Sequence, residues 1–163
     1  MDTKTHNSWS AIGLLIIALL LPFAAGAIGS LATSSEINTW YATLAKPAFN
    51  PPNWVFGPVW SALYLLQGIA FYLVIKQPHR LRSSATTLFI LQLIANTLWS
   101  LLFFGQHTPA WALADITILW ALIVATIYVF WSIKPLAAAL LVPYLAWVTF
   151  ATALNIGIIA SNY

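Results

Sequence analysis

Pro143, Trp147, Ala151 and Asn155 recur at every fourth position, so on a helix they share one face. Pro143 cannot donate to the carbonyl of Ala139, which favours a bend there, and the small Ala151 leaves room beside the Trp147 indole. Trp60, Tyr64, Gly68 and Phe71 make a second stripe, while Gln92, Asn96 and Ser100 make a polar one. In Trp40–Ala70, Pro47, Pro51 and Pro52 stiffen a loop that runs straight into an apolar segment. Rigid, aromatic and sparsely polar surfaces of this kind suit the holding of a flat, greasy molecule.

Bond-breaking chemistry has little to work with. The acids are Asp2, Glu36 and Asp115, too scattered for a paired-carboxylate mechanism. His6, His79 and His107 fall in terminal or loop positions, with no metal-ligand spacing and no nucleophile–base pair. His107 reads as a solvated turn histidine rather than an axial haem ligand. The absence of cysteine removes disulfides, thiolate catalysis and Cys-ligated metals. Hydrolysis and group transfer are therefore poor readings; oxidation of a bound pigment through tryptophan stays open. Six basic residues against three acids are also too few and too dispersed for nucleic acid.

The elements that must position these faces are membrane helices. The 163 residues are 61% hydrophobic and 6% charged, whereas a soluble domain carries about 25% charged residues. Five apolar runs, at 9–31, 54–75, 85–104, 110–131 and 136–160, are each long enough to cross hydrocarbon ~30 Å thick. Gly105 is expected to end one helix, with Thr108 as N-cap and Pro109 in the first turn of the next; Lys134-Pro135 does the same for the last pair. Short connections make successive helices antiparallel. The expected fold is all-α, a single five-helix up-down membrane bundle over 1–163, capped at its outer end by the loop 32–53.

Lys4, Lys76, Arg80, Arg82 and Lys134 fall on the amino-terminal side and only Lys46 on the other, which predicts the N-terminus inside and the loop and C-terminus outside. Lys4, the apolar run Ala11–Leu21, Pro22 and Ala25-Gly26-Ala27 also fit a cleavable signal peptide. The run continues to Leu31 with no polar mature start, so an uncleaved first helix is the simpler account.

Depth sorts the polar and aromatic groups. Asn96, Asp115 and Asn155 fall in outer halves, as do Trp40, Trp54, Trp60, Trp99 and Trp111; Trp120 and Trp147 sit near the middle, and only Trp9 and Trp131 mark the inner boundary. A plain aromatic belt would be divided between both interfaces. The skew predicts an aromatic cavity in the outer half. Trp9, Trp54, Trp111 and Trp131, at helix ends, read as interface anchors. Trp60 and Trp147 are divided between packing and ligand contact. Gln92, Asn96 and Ser100 read as helix–helix hydrogen-bonding groups, and Gly26, Gly29 and Ser30 as small residues for close packing. Asp115 reads as a hydrogen-bonded structural carboxylate near a helix N-terminus.

The motifs Trp40-Tyr41, Lys46-Pro47, Pro51-Pro52-x-Trp54-Val55, Gly57-Pro58-x-Trp60, Gln92-Leu93-x-x-Asn96-x-x-Trp99, Trp111-Ala112-Leu113-x-Asp115 and Pro143-Tyr144-x-x-Trp147, followed by Ala151 and Leu154-Asn155, carry a resemblance over nearly the whole chain. The sequence resembles the translocator protein/tryptophan-rich sensory protein (TspO/MBR) family. That resemblance implies a five-helix membrane bundle, often a homodimer, that binds porphyrins and benzodiazepine-type drugs without a required cofactor. It implies a sensory or stress role in a bacterial envelope, with light-dependent porphyrin breakdown or hydrophobic-molecule transport as alternatives. By motif, Trp60 and Trp147 would hydrogen-bond a ligand carbonyl, and would be the catalytic pair if the chain is an enzyme. Trp40, Asn96, Trp99, Trp111, Ala151 and Leu154 would complete the lining, and Lys46 would be approached by ligand carboxylates. Animal members carry a tyrosine and an arginine after the Leu-Asn pair; here Ile156 follows Asn155 and no Lys or Arg occurs after Lys134. Sterol recognition by that motif is therefore doubtful.

Overall fold

A computed structural model describes the backbone of residues 5–163 and the side chains of residues 11–163. The side chains of Asp2, Lys4, His6 and Trp9, which enter the charge count and the aromatic map, lie outside the described residues. The chain forms α1 (Thr5–Glu36), a single turn α2 (Trp40–Thr43), α3 (Phe56–Ile75) after a 3-10 turn at Asn53–Val55, α4 (Arg82–Ser100), α5 (Pro109–Ile133) and α6 (Pro135–Asn162). No strand occurs among the described residues, and α1, α3, α4, α5 and α6 are each apolar and long enough to span a bilayer. This is the expected all-α five-helix membrane bundle.

Neighbours in space are not always neighbours in sequence. The packing order around the bundle is α1, α3, α6, α5, α4 and back to α1, so α1 is wedged between α3 and α4. Two glycines allow the wedge. A Cβ on Gly68 would come 2.9 Å from the Leu19 Cα, and one on Gly26 would come 2.8 Å from the Tyr64 oxygen. Small residues that let helix backbones approach in this way are the usual means of association in lipid.

The half of the bundle opposite the loop is packed solid. Phe71 and Phe89 stack with centroids 4.2 Å apart, Phe130 lies beside Phe89, and Ala70, Ala85, Ala137 and Ala138 fill the gaps. Above this plug, polar pairs join α3 to α4. Gln92 donates to Gln67 at 3.2 Å, and Tyr64 donates to Asn96 at 3.2 Å.

Helix boundaries differ from expectation mainly at the loop. The expected loop 32–53 shrinks because α1 runs on to Glu36 and α2 intervenes. The apolar run stops at Leu31, but the helix continues past it, and Thr33 and Ser35 sit within it with their hydroxyls donating to the carbonyls of Gly29 and Ala32. At the α4–α5 junction the expected caps are replaced. α4 widens into a π turn over Leu101–Gly105, with Gln106 N–H donating to the Leu101 carbonyl at 2.9 Å. The Thr108 hydroxyl caps nothing in α5; it donates back to Leu102. Pro109 does open α5. His107, not Gly105, adopts the left-handed conformation, at φ 53°.

The loop is tied at both ends. Asn162 accepts from the Ala45 N–H at 2.9 Å and donates to its carbonyl at 2.8 Å, while the Pro47 ring seats on Gly157. Tyr41, buried under the loop, donates its hydroxyl to Asn50 at 2.9 Å; burial raises its pKa above the ordinary tyrosine value and keeps that proton in place.

Candidate binding cavity

Between the polar pairs and the loop lies a cavity of about 590 Å³, within the range of roughly 300–1,000 Å³ that small-molecule sites occupy. Its walls come from α1, α3, α4 with the π turn, and α6, with α2 and the turn before α3 overhead. α5 contributes nothing to it.

Trp60, Trp99, Trp147, Ala151 and Leu154 all line this one space. The fourth-residue repeat on α6 delivers Trp147, Ala151 and Asn155 to it together, as spacing predicted. Trp60 stacks on Tyr64 at 5.5 Å and meets Tyr144 edge-on at 6.2 Å, which fixes its ring against the floor. Trp99 lies against Phe103 at 5.3 Å, and its indole N–H is already used, donating to Asn155 at 3.2 Å. Asn155 donates in turn to the Pro109 carbonyl at 2.9 Å. Trp147 differs: its indole nitrogen is buried and has no hydrogen-bond partner. A buried donor without an acceptor is costly, and Trp147 carries this one at the edge of the cavity it lines.

Three expected lining residues stand elsewhere. Trp111 is 70% exposed on α5 and is not among the lining, consistent with its reading as an anchor. Trp40 sits behind the wall, edge-on to Phe103 at 5.6 Å and stacked on the His107 ring at 4.2 Å. Asn96 is buried below the floor, where it accepts from the Tyr64 hydroxyl and so holds that ring in the wall. Lys46 is likewise outside the lining; its ammonium lies 4.7 Å over the Tyr41 ring and donates to the Leu44 carbonyl at 3.3 Å.

Other residues take roles that spacing did not assign. Phe23, Gly26, Ala27 and Ser30 place a whole face of α1 in the cavity, and Phe103 and Phe104 reach it because the π turn rotates them inward. Trp54 lines the mouth although it is 74% exposed. His107 is not merely solvated: its Nε2 pairs with Glu36 Oε2 at 3.1 Å, which also accepts from Thr39 at 3.1 Å. Asp115 is buried as expected, yet its Oδ2 has no hydrogen-bond donor. Trp120 donates to Thr149 at 2.9 Å in a separate shallow hollow on the α5–α6 face. No group of three or more metal-ligating side chains occurs among the described residues.

Chemically, the cavity offers aromatic faces, several hydroxyls, indole N–H groups and no charged side chain among its lining residues. Such a surface can stack on a planar occupant and orient it by a small number of hydrogen bonds.

Comparison with known proteins gives a consistent result. Residues 18–160 match the model of the TspO/MBR family. The chain is 42% identical over 149 residues to the tryptophan-rich protein TspO of Archaeoglobus fulgidus, covering 91% of this chain and 96% of that protein. It is 40% identical over 139 residues to the translocator protein of Homo sapiens, covering 83% and 82%. Identity to the tryptophan-rich sensory protein of Cereibacter sphaeroides is 38% over 149 residues, covering 90% and 92%.

Proposed function

The chain belongs to the TspO/MBR family, and from that premise we propose that it is a membrane receptor for porphyrin-like tetrapyrroles with a sensory or regulatory role. The observation that carries the reading is an aromatic cavity of about 590 Å³ lined by Trp60, Trp99 and Trp147, the last of which has an indole N–H without a hydrogen-bond partner. A tetrapyrrole ring would stack against Trp60 and Trp99 and present a polar edge to Trp147. With no charge in the lining, its carboxylates would stay at the mouth. The charge bias of the loops supports an orientation with that mouth outside.

The test is titration of the detergent-purified protein with protoporphyrin, read by quenching of tryptophan emission. Quenching should saturate. Trp147→Phe, which keeps most of the ring and removes the donor, should weaken affinity about fivefold, the equivalent of one hydrogen bond of ~1 kcal/mol. Trp60→Phe should weaken it through lost stacking. Unchanged affinity in both variants would overturn the site.

A second reading, light-dependent degradation of the bound pigment with dioxygen as oxidant, is favoured by four oxidisable indoles, Trp54, Trp60, Trp99 and Trp147, around one space. Illumination separates the two. A receptor returns the pigment intact, whereas an enzyme yields a new absorbing product that the Phe variants fail to make. The packed Phe71–Phe89–Phe130 plug supports binding over passage through the bundle.

A further inference from the structure

The cavity wall is uneven in one respect. Its residues on α4, the π turn and α6 are buried or half-buried. Every strongly exposed residue of the lining belongs to α1, or to α3 and the turn leading into it: Ala27, Ser30 and Ser34 on one side, and Trp54, Gly57 and Ser61 on the other, with Phe23 and Asn53 beside them. A side chain that faces both a cavity and the outside marks an opening.

The helix contacts explain where the opening lies. α1 and α3 touch at Gly68–Leu19 and again at Gly26–Tyr64. In that antiparallel register the next turns bring Ser30 opposite Ser61 and Ser34 opposite Gly57. No comparable contact follows: a Cβ on Gly57 would meet no atom within 4 Å. The two helices therefore close below Tyr64 and leave a slot above it, within the apolar span and on the loop side. Small hydroxyl-bearing residues edge the slot, and the Ser30 and Ser61 hydroxyls are turned to their own helix, donating to Ala27 and Gly57 carbonyls. The overhead route is obstructed by contrast, because Asn162 and Gly157 hold the loop down and Glu36 and His107 join α1 to the α4–α5 turn.

We propose that the cavity is loaded sideways, from the loop-side leaflet of the bilayer, through the slot between α1 and α3. The ligand class follows: a lipid-partitioning amphiphile whose apolar body passes Ser30 and Ser61 while its polar end remains among the headgroups. This rests on the receptor reading above and adds a route to it.

The natural absence of cysteine makes the test clean. Ser61→Cys is made as the single thiol, and protoporphyrin quenching is followed by stopped flow in nanodiscs, before and after labelling with a bulky maleimide. A slot used for passage affects only the barrier, so association and dissociation should both slow, by tenfold or more, while Kd changes less than twofold. The unlabelled variant is the reference against which the labelled protein is compared, and its saturable quenching controls for folding. Ser30→Leu should slow both rates in the same sense, and Trp40→Ala, at the capped end, should not. Unchanged rates after labelling would overturn the route and leave the receptor reading intact, as would a slowing confined to Trp40→Ala. A labelled protein whose Kd rises with faster dissociation would make Ser61 a binding contact and also overturn the route. Failure of the parent to quench at all would remove the receptor reading and this route with it.

Discussion

Single atoms decide much at the residue scale. Gly26 exists to admit the Tyr64 ring, since a Cβ there would come 2.8 Å from the hydroxyl oxygen. Gly26→Ala should destabilise the protein by ~1–3 kcal/mol, the usual cost of overpacking, read as a fall in melting temperature in detergent. Truncating the obstacle in Gly26→Ala/Tyr64→Ala should return part of that loss beyond additivity; strict additivity of the two changes would show that the Tyr64 ring is free to move aside. Gln92→Leu removes the donor to Gln67 between α3 and α4. The expected cost is small, ~0.6–1.7 kcal/mol, because polar groups in a membrane-embedded unfolded state also find partners; a loss above 4 kcal/mol would mean the pair organises the helices rather than joining them. Spacing alone made the α6 face legible, since a repeat of four leaves little freedom in where Trp147, Ala151 and Asn155 point. Trp111 and Trp40 were not separable from Trp60 and Trp99 in this way: each is an indole in the loop-side half, and only helix rotation tells a lipid-facing ring from a cavity-facing one. The α1 lining was illegible for the opposite reason. Its composition is so evenly apolar that no face stands out before α3 is laid against it.

At the scale of elements, the junctions rather than the spans escaped the sequence. Five apolar runs of sufficient length state five helices directly. Nothing in Leu101–Gly105 announces a π turn, because its residues suit an ordinary helix; the extra residue is accommodated through the backbone bond from Gln106 to Leu101. Its effect is to swing Phe103 and Phe104 into the wall. The turn that follows carries a non-glycine left-handed residue, His107, held by Glu36 and the face of Trp40. Glu36→Gln should weaken that hold without touching the cavity lining. Limited proteolysis in detergent should then cleave near residues 37–52 or 105–108 faster than in the parent, with porphyrin affinity within about twofold. Equal cleavage rates would show the pair to be incidental, as exposed ion pairs often are.

For the whole molecule, the sequence predicts alternating helix directions but not the circular order, because chain connectivity does not say which helix is wedged between which. Placing α1 between α3 and α4 takes the close contacts at Gly26 and Gly68. The resulting bundle is hollow at one end and solid at the other. Proteoliposomes loaded with protoporphyrin should accordingly show saturable binding from the loop side and no protein-dependent flux; flux abolished by Trp147→Phe would overturn this expectation. The solid end has a consequence for what a receptor built in this way would report. An occupant has to retreat along the path by which it arrived, so a difference in pigment level between the two sides of the membrane cannot drive it anywhere. Occupancy then follows one compartment alone, averaged over the dwell time, and pulses of pigment shorter than that time are smoothed away.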